Sequence, residues 1–468
     1  MRRLSLFILL LATGMAPHAA AQDSHYWDNQ YGTKGELLGG VVVGSRSDLS
    51  ATFYNPGWIA LHVDPSLLLT TMAAEAYSIK LKDGLDRSDD PSSSTVTTSP
   101  GFLAGRFTTG KHSDWQWAYS YLQKVKFEFD ATGIRVDEST APPPQGNFWF
   151  SGEAFRKATA NEYWYGATFS RKIRPNVGLG FTPYVVQRSM SSRIQVAAQG
   201  LDGAENFAQA YGVDEYDFWH VRLLAKIGLA MEKGNMSYGV TLTTPSLGLF
   251  GSGNVYTTSS VSGLDQDQDG NIDDPYLSAN LQEGLSATWK SPMSLAFGAS
   301  WKAHATGWHL TVEWYNAVKT RPAMEADDFL SQSGSPGQKV ANTYNLNFGA
   351  KSLINFGVAF DHAFSEKFSL YGAFRSDFSS LPDVDADDLQ IANWDLWHLS
   401  SGASFTFLNI EFTAGLQYSF GSGDNERFLN FNQDENGDVL GDFGIHEITY
   451  RRLKALIGFN MPFGETSG

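Results

Sequence analysis

The sequence contains no cysteine. Neither a disulfide nor a thiolate metal site can form, so stability has to come from the fold itself. Beyond its first 21 residues it holds no uninterrupted apolar run of about 18 residues, which excludes spanning by helices. Charge is scarce at 18% of residues, and positive charge is the scarcer sign: 34 Lys and Arg stand against 50 Asp and Glu, a net −16. That balance excludes nucleic acid as a partner, because phosphate backbones call for a basic surface. No internal repeat and no low-complexity tract stands out.

What is present begins with a leader. Arg2 and Arg3 precede the apolar stretch 4–15 and the small residues Ala19, Ala20 and Ala21. This is the pattern of a secretory signal peptide, 1–21, cleaved after Ala21. Its loss takes two positive charges and leaves the mature chain near −18. Aromatics make up 14% of the chain and glycine contributes 46 residues, which suits aromatic girdles and strand glycines.

From residue 67 to residue 463 short alternating runs recur. In 115–129 the odd positions begin Trp115, Trp117, Tyr119, Tyr121, and the even ones Gln116, Ala118, Ser120. In 307–316 Trp308, Leu310, Val312 and Trp314 oppose His309, Thr311 and Glu313. A period of two with one greasy face is a half-exposed strand. A soluble sandwich also alternates, but its strands are shorter and need no aromatic at each end of the apolar face.

Fourteen such segments are predicted, near 67–81, 100–109, 115–129, 159–173, 177–190, 215–231, 235–249, 282–303, 307–320, 350–364, 367–377, 394–407, 410–421 and 447–463. Tight turns, among them Arg174-Pro175-Asn176, Lys233-Gly234-Asn235 and Leu408-Asn409, alternate with long polar loops. The expected fold is all-β: an outer-membrane antiparallel barrel with an even strand number, both ends periplasmic and the long loops outside. Pro183 inside the segment 177–190 is expected to mark a bulge or kink, with a wall opening beside it as a second reading. Residues 22–66 precede the first strand, are greasy, and contain Pro56. They are expected to pack in the lumen as a hatch, and residues 464–468 to form a short tail.

Several residues break the rhythm. Phe148, Trp149, Phe150 and Phe155 fall in an expected loop, as do Phe207 and Tyr211. They read as a groove for an apolar ligand, or as aromatics that close the mouth or sit in the girdle. Lys124, Lys126, Glu128, His220, Arg222, Lys226, Glu313 and Arg375 take lumen-facing positions. They read as a mutually paired polar network; in a second reading Arg222 and Lys226 meet a carboxylate of a ligand or of Asp48. Asp265, Asp267, Asp269, Asn271 and Asp273, with Gly270, match the front of a calcium loop without its closing Glu. The alternative is an acidic solvated turn. A weaker echo runs over 432–439. The histidines, His309 and His398 included, fall in no motif with a serine and an acid, so no catalytic residue is assigned. No cofactor is required, and a structural Ca²⁺ is the one ion the sequence points to.

The run Ser47-Asp48-Leu49-Ser50-Ala51-Thr52-Phe53-Tyr54-Asn55-Pro56-Gly57, followed by about ten residues and the first strand, resembles the N-terminal hatch of the long-chain fatty acid outer-membrane transporters of the FadL/TodX type (OMPP1). Members carry Asn-Pro-Ala where this chain carries Asn55-Pro56-Gly57. The resemblance spans the mature chain. It implies passive, ligand-gated uptake of a hydrophobic small molecule such as a fatty acid or hydrocarbon. The molecule would dock on outer loops, rest above the hatch, and leave sideways into membrane lipid through a gap in the wall. Asp48, Asn55, Pro56 and Gly57 would shape the hatch. Other roles remain open: a general polar-solute porin, or a secretion-associated barrel, since the same fold serves several jobs.

Overall fold

The computed structural model describes residues 24–46, 48–62, 66–81, 92–106, 115–140, 147–201, 207–263, 272, 274–330, 339–340, 346–382, 394–426 and 445–462. The leader 1–21, the ligand candidates Asp265, Asp267, Asp269, Asn271 and Asp273, the echo 432–439 and the tail 464–468 lie outside the described residues. None of the described helices is long and apolar enough to cross a membrane.

Three short helices, α1 (Thr33–Leu37), α2 (Ala51–Tyr54) and α3 (Trp58–His62), precede the strands. The strands are β1 (Ser66–Leu81), β2 (Ser92–Arg106), β3 (Trp115–Thr140), β4 (Asn147–Arg174), β5 (Val177–Leu201), β6 (Phe207–Lys233), β7 (Met236–Thr243), β8 (Leu247–Ser262), β9 (Tyr276–Ser286), β10 (Ser294–Ala303), β11 (Thr306–Tyr315), β12 (Val318–Met324), β13 (Phe329–Leu330), β14 (Lys339–Val340), β15 (Leu346–Ala350), β16 (Leu353–Ser365), β17 (Phe368–Asp377), β18 (Asp395–Phe407), β19 (Ile410–Glu426) and β20 (Ile445–Pro462). Sixteen of them form one antiparallel sheet, which closes through β1–β20 and β5–β6. β7 with β8, and β9 with β10, are each one crossing in two pieces, so the wall has fourteen crossings. The four strands β12 to β15 pair outside the wall, between β11 and β16. The chain is thus an outer-membrane, multi-pass β-barrel.

Alternation builds the wall as its period requires. Trp308 lies opposite Phe360, Leu310 opposite Val358 and Trp314 opposite Ile354, all exposed, while Thr311 and Asn355 are buried inside. The wall is not level. β3 to β6 run 25 to 28 residues, whereas β10, β11 and β17 have 10 each. A tilted crossing needs only about 9–11 residues, so one side rises far beyond the bilayer. The segments expected as loops at 130–158 and 191–214 are mostly this extension, extended and paired from Thr140–Asn147 down to Arg174 and from Leu201–Phe207 downward.

One bulge corrects the sequence reading of β3. Its ladder with β4 skips a residue between Gln123 and Val125. A one-residue shift exchanges the faces. Trp115, Trp117 and Tyr119 point outward, but beyond the bulge Val125 and Phe129 are buried, and Lys126 and Glu128 share the opposite face. At Pro183 the β4 ladder drops the pairs Ala167–Pro183 and Thr168–Thr182, as a missing donor requires, but the Thr168 and Thr182 hydroxyls still meet at 2.9 Å. Pro183 lies opposite Ala225, and β5 keeps one register with β6 throughout and with β4 on both sides of it, so neither bulge nor opening forms there.

Residues 24–46 and 48–62 lie against the inner face of the wall on all sides. The Asn55 side chain organises the turn between α2 and α3: Oδ1 accepts from Gly57 N at 3.0 Å, and Nδ2 donates to the carbonyls of Val43 (2.9 Å) and Leu229 (3.0 Å). Asp48 takes Thr33 Oγ1 (2.8 Å) and the amides of Lys34 (2.7 Å) and Ser50 (2.8 Å). It therefore folds the segment on itself, while Arg222 and Lys226 find their partners elsewhere. The turn meets bare backbone. A Cβ on Gly57 would stand 2.7 Å from the Gly178 carbonyl and 2.8 Å from that of Gly228. Glycine here, in place of alanine, lets the turn sit one methyl closer to the wall. Gly57→Ala should cost about 1–3 kcal/mol by overpacking and lower the unfolding temperature in detergent. Gly101→Ala, whose added methyl meets nothing nearer than 3.9 Å, should leave it unchanged.

Burial pushes the Glu36 carboxyl of α1 up to about 8; Lys454 and Arg375 oppose this and Asp48 adds to it. An acid raised in the folded state stabilises it only while protonated. Stability contributed by α1 should therefore be complete below about 4.5 and fall as pH rises toward 8. In a pH series of unfolding temperatures, Glu36→Gln should remove that part of the decline.

Candidate functional site

The first described residues form an arm along β16 to β18 and β20. Asp377 Oδ1 accepts the amides of Tyr26 (3.1 Å) and Trp27 (3.0 Å) and the side chain of Asn355 (3.1 Å). Arg375 Nη2 donates to the carbonyls of Trp27 (3.0 Å) and Asp28 (3.2 Å), and Arg452 Nη1 to Asp28 Oδ2 (2.7 Å). Burial works against the Asp28 charge, yet Arg452 and then Lys454 hold its carboxyl well below the usual carboxylate range. Trp27 Nε1 donates to Glu313 Oε2 at 2.7 Å. So pinned, the arm forms one side of a lumen cavity of about 1090 Å³, its open mouth included.

The cavity's other sides mix aromatic faces with buried cations. Arg188 Nη1 and Arg222 Nη2 both donate to Glu162 Oε2, at 2.8 and 2.7 Å, and Trp164 Nε1 donates to Glu162 Oε1 at 2.6 Å. The Arg188 guanidinium lies 4.1 Å above the Trp289 ring, which stacks on Phe348 with centroids 4.4 Å apart. Lys226 Nζ sits 4.3 Å from the Phe53 centroid and donates to Thr243 Oγ1 at 3.1 Å. Two buried donors, Arg188 Nη2 and Arg222 Nη1, have no hydrogen-bond partner. Such a space takes a mainly apolar molecule and offers donors to an acceptor on it.

Of the residues singled out in the sequence, Arg222, Lys226, Lys124 and Glu313 line this cavity. Arg222 belongs to the paired network with Glu162, and Lys226 does not pair with Asp48. Trp149, Phe155, Phe207 and Tyr211 do not sit on loops or in the cavity. They lie on β4 and β6, as do Phe148 and Phe150 by their register. Trp149 faces Leu201, which faces Phe207, so an exposed cross-strand row replaces the expected loop groove. Phe53, Glu162, Trp164, Trp289 and Phe348 were not legible as site residues. Each sits in an ordinary strand or hatch pattern, and only three-dimensional closure brings them together.

The histidines are less solitary than their sequence neighbourhoods imply. His309 Nδ1 meets Ser45 Oγ at 2.6 Å and its Nε2 meets Asp361 Oδ1 at 2.7 Å. His398 Nδ1 meets Ser419 Oγ at 2.6 Å, with Asp377 at 3.7 Å on the other nitrogen. Neither serine lines the cavity, and the Ser45 amide is spent on the Val42 carbonyl. Nucleophilic catalysis needs a substrate carbonyl beside the hydroxyl; these chains instead tie the inner segment and the wall together.

No family model matches the sequence, and no curated protein sequence does. Solved structures match over their whole length. A Pseudomonas aeruginosa FadL homologue aligns over 94% of this chain and 100% of its own, with a TM-score of 0.54 at 11% identity. The chain has the FadL/TodX barrel fold. The Pseudomonas putida toluene transporter TodX covers 94% and 100% at 0.52 and 13% identity, and the Ralstonia pickettii toluene transporter TbuX 93% and 99% at 0.52 and 11%. These neighbours are transporters and channels rather than enzymes. Shape is retained while the side chains differ, so the cavity chemistry belongs to this chain.

Glu162→Gln should strand two buried guanidiniums and cost about 3–5 kcal/mol, read as a lowered unfolding temperature. Replacing Arg188 and Arg222 with Met in the same chain should recover much of the loss.

Proposed function

We propose that this barrel carries hydrophobic small molecules, of the fatty-acid or aromatic-hydrocarbon class, across the outer membrane by ligand-gated diffusion without an energy source. The observation that carries this reading is the cavity lined by Phe53, Trp164, Trp289 and Phe348 and walled by the arm at residues 24–30. The names of the matching structures, toluene transporters and a monoaromatic hydrocarbon channel among them, support the cargo class. Residues 24–62 act as the hatch: they lie across the lumen and leave apolar cargo no straight aqueous path. Spare donors at Arg188 and Arg222 favour cargo that also bears an acceptor.

A sideways exit follows from β2 and β3. Their pairing runs only from Arg106–Ala118 to Phe102–Leu122, and the β3 bulge begins where it stops. Above that point the two strands part, beside the cavity residues Lys124 and Val125. Continued register would place Gly101 opposite Gln123. In proteoliposomes, an oxidised Gly101→Cys/Gln123→Cys pair should slow uptake of a fluorescent fatty acid several-fold, and reductant should restore it. Rapid arabinose entry through the wild-type protein, with no fatty-acid binding, would replace this reading with a porin.

A further inference from the structure

Two adjacent crossings of the wall break at the same height. β7 ends at Thr243 and β8 resumes at Leu247, around Pro245; β9 ends at Ser286 and β10 resumes at Ser294, around Pro292. Proline lacks the donor a ladder needs. Below the break β10 pairs with both β7 and β11. Above it β9 pairs with β8, and among the described residues its other edge has no strand ladder: it keeps the bridge Ala287–Met324 and two hydrogen bonds between the Gln282 side chain and the Asp327 backbone, both 2.7 Å. β11 stops at Tyr315, where the chain leaves the wall.

The strip 288–293 fills this gap. Ser291 N donates to Ser246 Oγ (2.7 Å), Ser246 N to the Ser291 carbonyl (3.3 Å), and Arg222 Nε to Ser291 Oγ (2.9 Å). Asn316 N donates to the Met293 carbonyl (3.1 Å), and Thr288 N to that of Ala323 (2.7 Å). The strip is one chain thick. Lys290, Ser291, Pro292 and Val318 line the lumen cavity and also a second, more open cavity on the other side of the strip.

The height of the break is set by strand length. Eight residues of β7 and ten of β10 separate it from the short turns. At about 3.3 Å per residue and a tilt of about 40°, it stands roughly 20–25 Å above the short-turn rim. That is the long-loop edge of an apolar band about 25 Å tall. Exposed Lys290, Lys319 and Arg321 line the outer cavity, at head-group level where water can satisfy the unpaired edge. Leu247 and Phe250, also exposed, flank the break.

We propose that the strip 288–293 is a second door in the wall, separate from the parting of β2 and β3, by which the cavity's apolar occupant reaches the leaflet on the long-loop side. The proposal rests on the transport reading. The strip is fixed by a handful of hydrogen bonds, three of them at Ser291, and by the stack of Trp289 on Phe348 beneath Arg188, in place of a continuous ladder; Trp289 is the pivot about which 290–293 move. Swinging it outward joins the two cavities without unpairing any wall strand.

The cysteine-free chain makes the test clean. Ser246→Cys/Ser291→Cys staples the strip to the wall. In proteoliposomes given a pyrene-labelled fatty acid, oxidation of the double variant should cut its flux at least tenfold relative to the same variant reduced, while its lumen binding, read by tryptophan quenching, is equal in the two forms; reductant should restore flux. Equal flux from oxidised and reduced protein, with the disulfide confirmed by mass, overturns the door. A spin label on Pro292→Cys reports the strip without any cargo. Collision with lipid-dissolved oxygen that the staple abolishes is expected, and a label shielded from oxygen in the unstapled protein overturns the door. Failure of the wild type to bind any probe would count against the transport reading alone, since the label still judges the door.

Discussion

Hydrocarbon offers no hydrogen bond to a peptide group, and every other feature of this molecule depends on that. Within the membrane each backbone N–H and C=O has to find its partner in the chain. Closure of the sheet through β1–β20 answers this for the wall. The places where pairing lapses are therefore informative. β2 and β3 part above Phe102–Leu122, and the crossings β7–β8 and β9–β10 break around Pro245 and Pro292. Both lapses adjoin the same lumen cavity, and at the second the polar edge lies where water and head groups can serve it.

The inner segment solves a different problem. It has to lie against fourteen crossings without competing for their hydrogen bonds, so contact is made through bare backbone and through side chains that carry their own partners. The turn at Asn55-Pro56-Gly57 presses on Gly178, Gly180 and Gly228, and Gly44 on Gly298, at distances no Cβ would permit. The arm is held by charge: Arg375, Asp377 and Arg452 replace the amide ladder that an arm of this shape cannot form. Apolar contact with the inner wall is concentrated lower down, where Tyr31, Phe53, Trp58, Phe102 and Trp164 share one cluster.

Fold and site were unequally legible in the sequence. Period-two alternation and the turn residues revealed the crossings, because each is a local property of ten or so residues. What local pattern could not reveal is an insertion that changes nothing in composition. Gln123-Lys124-Val125 reads as uninterrupted strand, yet the skipped residue exchanges the faces. Pro183 reads as a break, yet register runs through it, whereas Pro245 and Pro292 lie within the stretches 235–249 and 282–303, read as continuous strands, and interrupt them. The difference lies in what the neighbouring strands do. The cavity was the least visible. Arg222 and Lys226 could be placed on the inner face by parity, but their partners Glu162, Trp289 and Phe53 come from distant parts of the chain.

The bulge at Lys124 also says something about how such a wall can change over time. Side-chain direction in a strand has only two values, so a single-codon insertion or deletion acts on everything beyond it at once. Restoring strict pairing there would turn the sixteen residues from Val125 to Thr140 inside out, sending Phe129 to the surroundings and Asp130 to the interior. A gradual path of substitutions has no access to that rearrangement. The upper half of this strand is, in effect, written in a different reading parity from the lower, and the inner residues it supplies are inherited together or not at all.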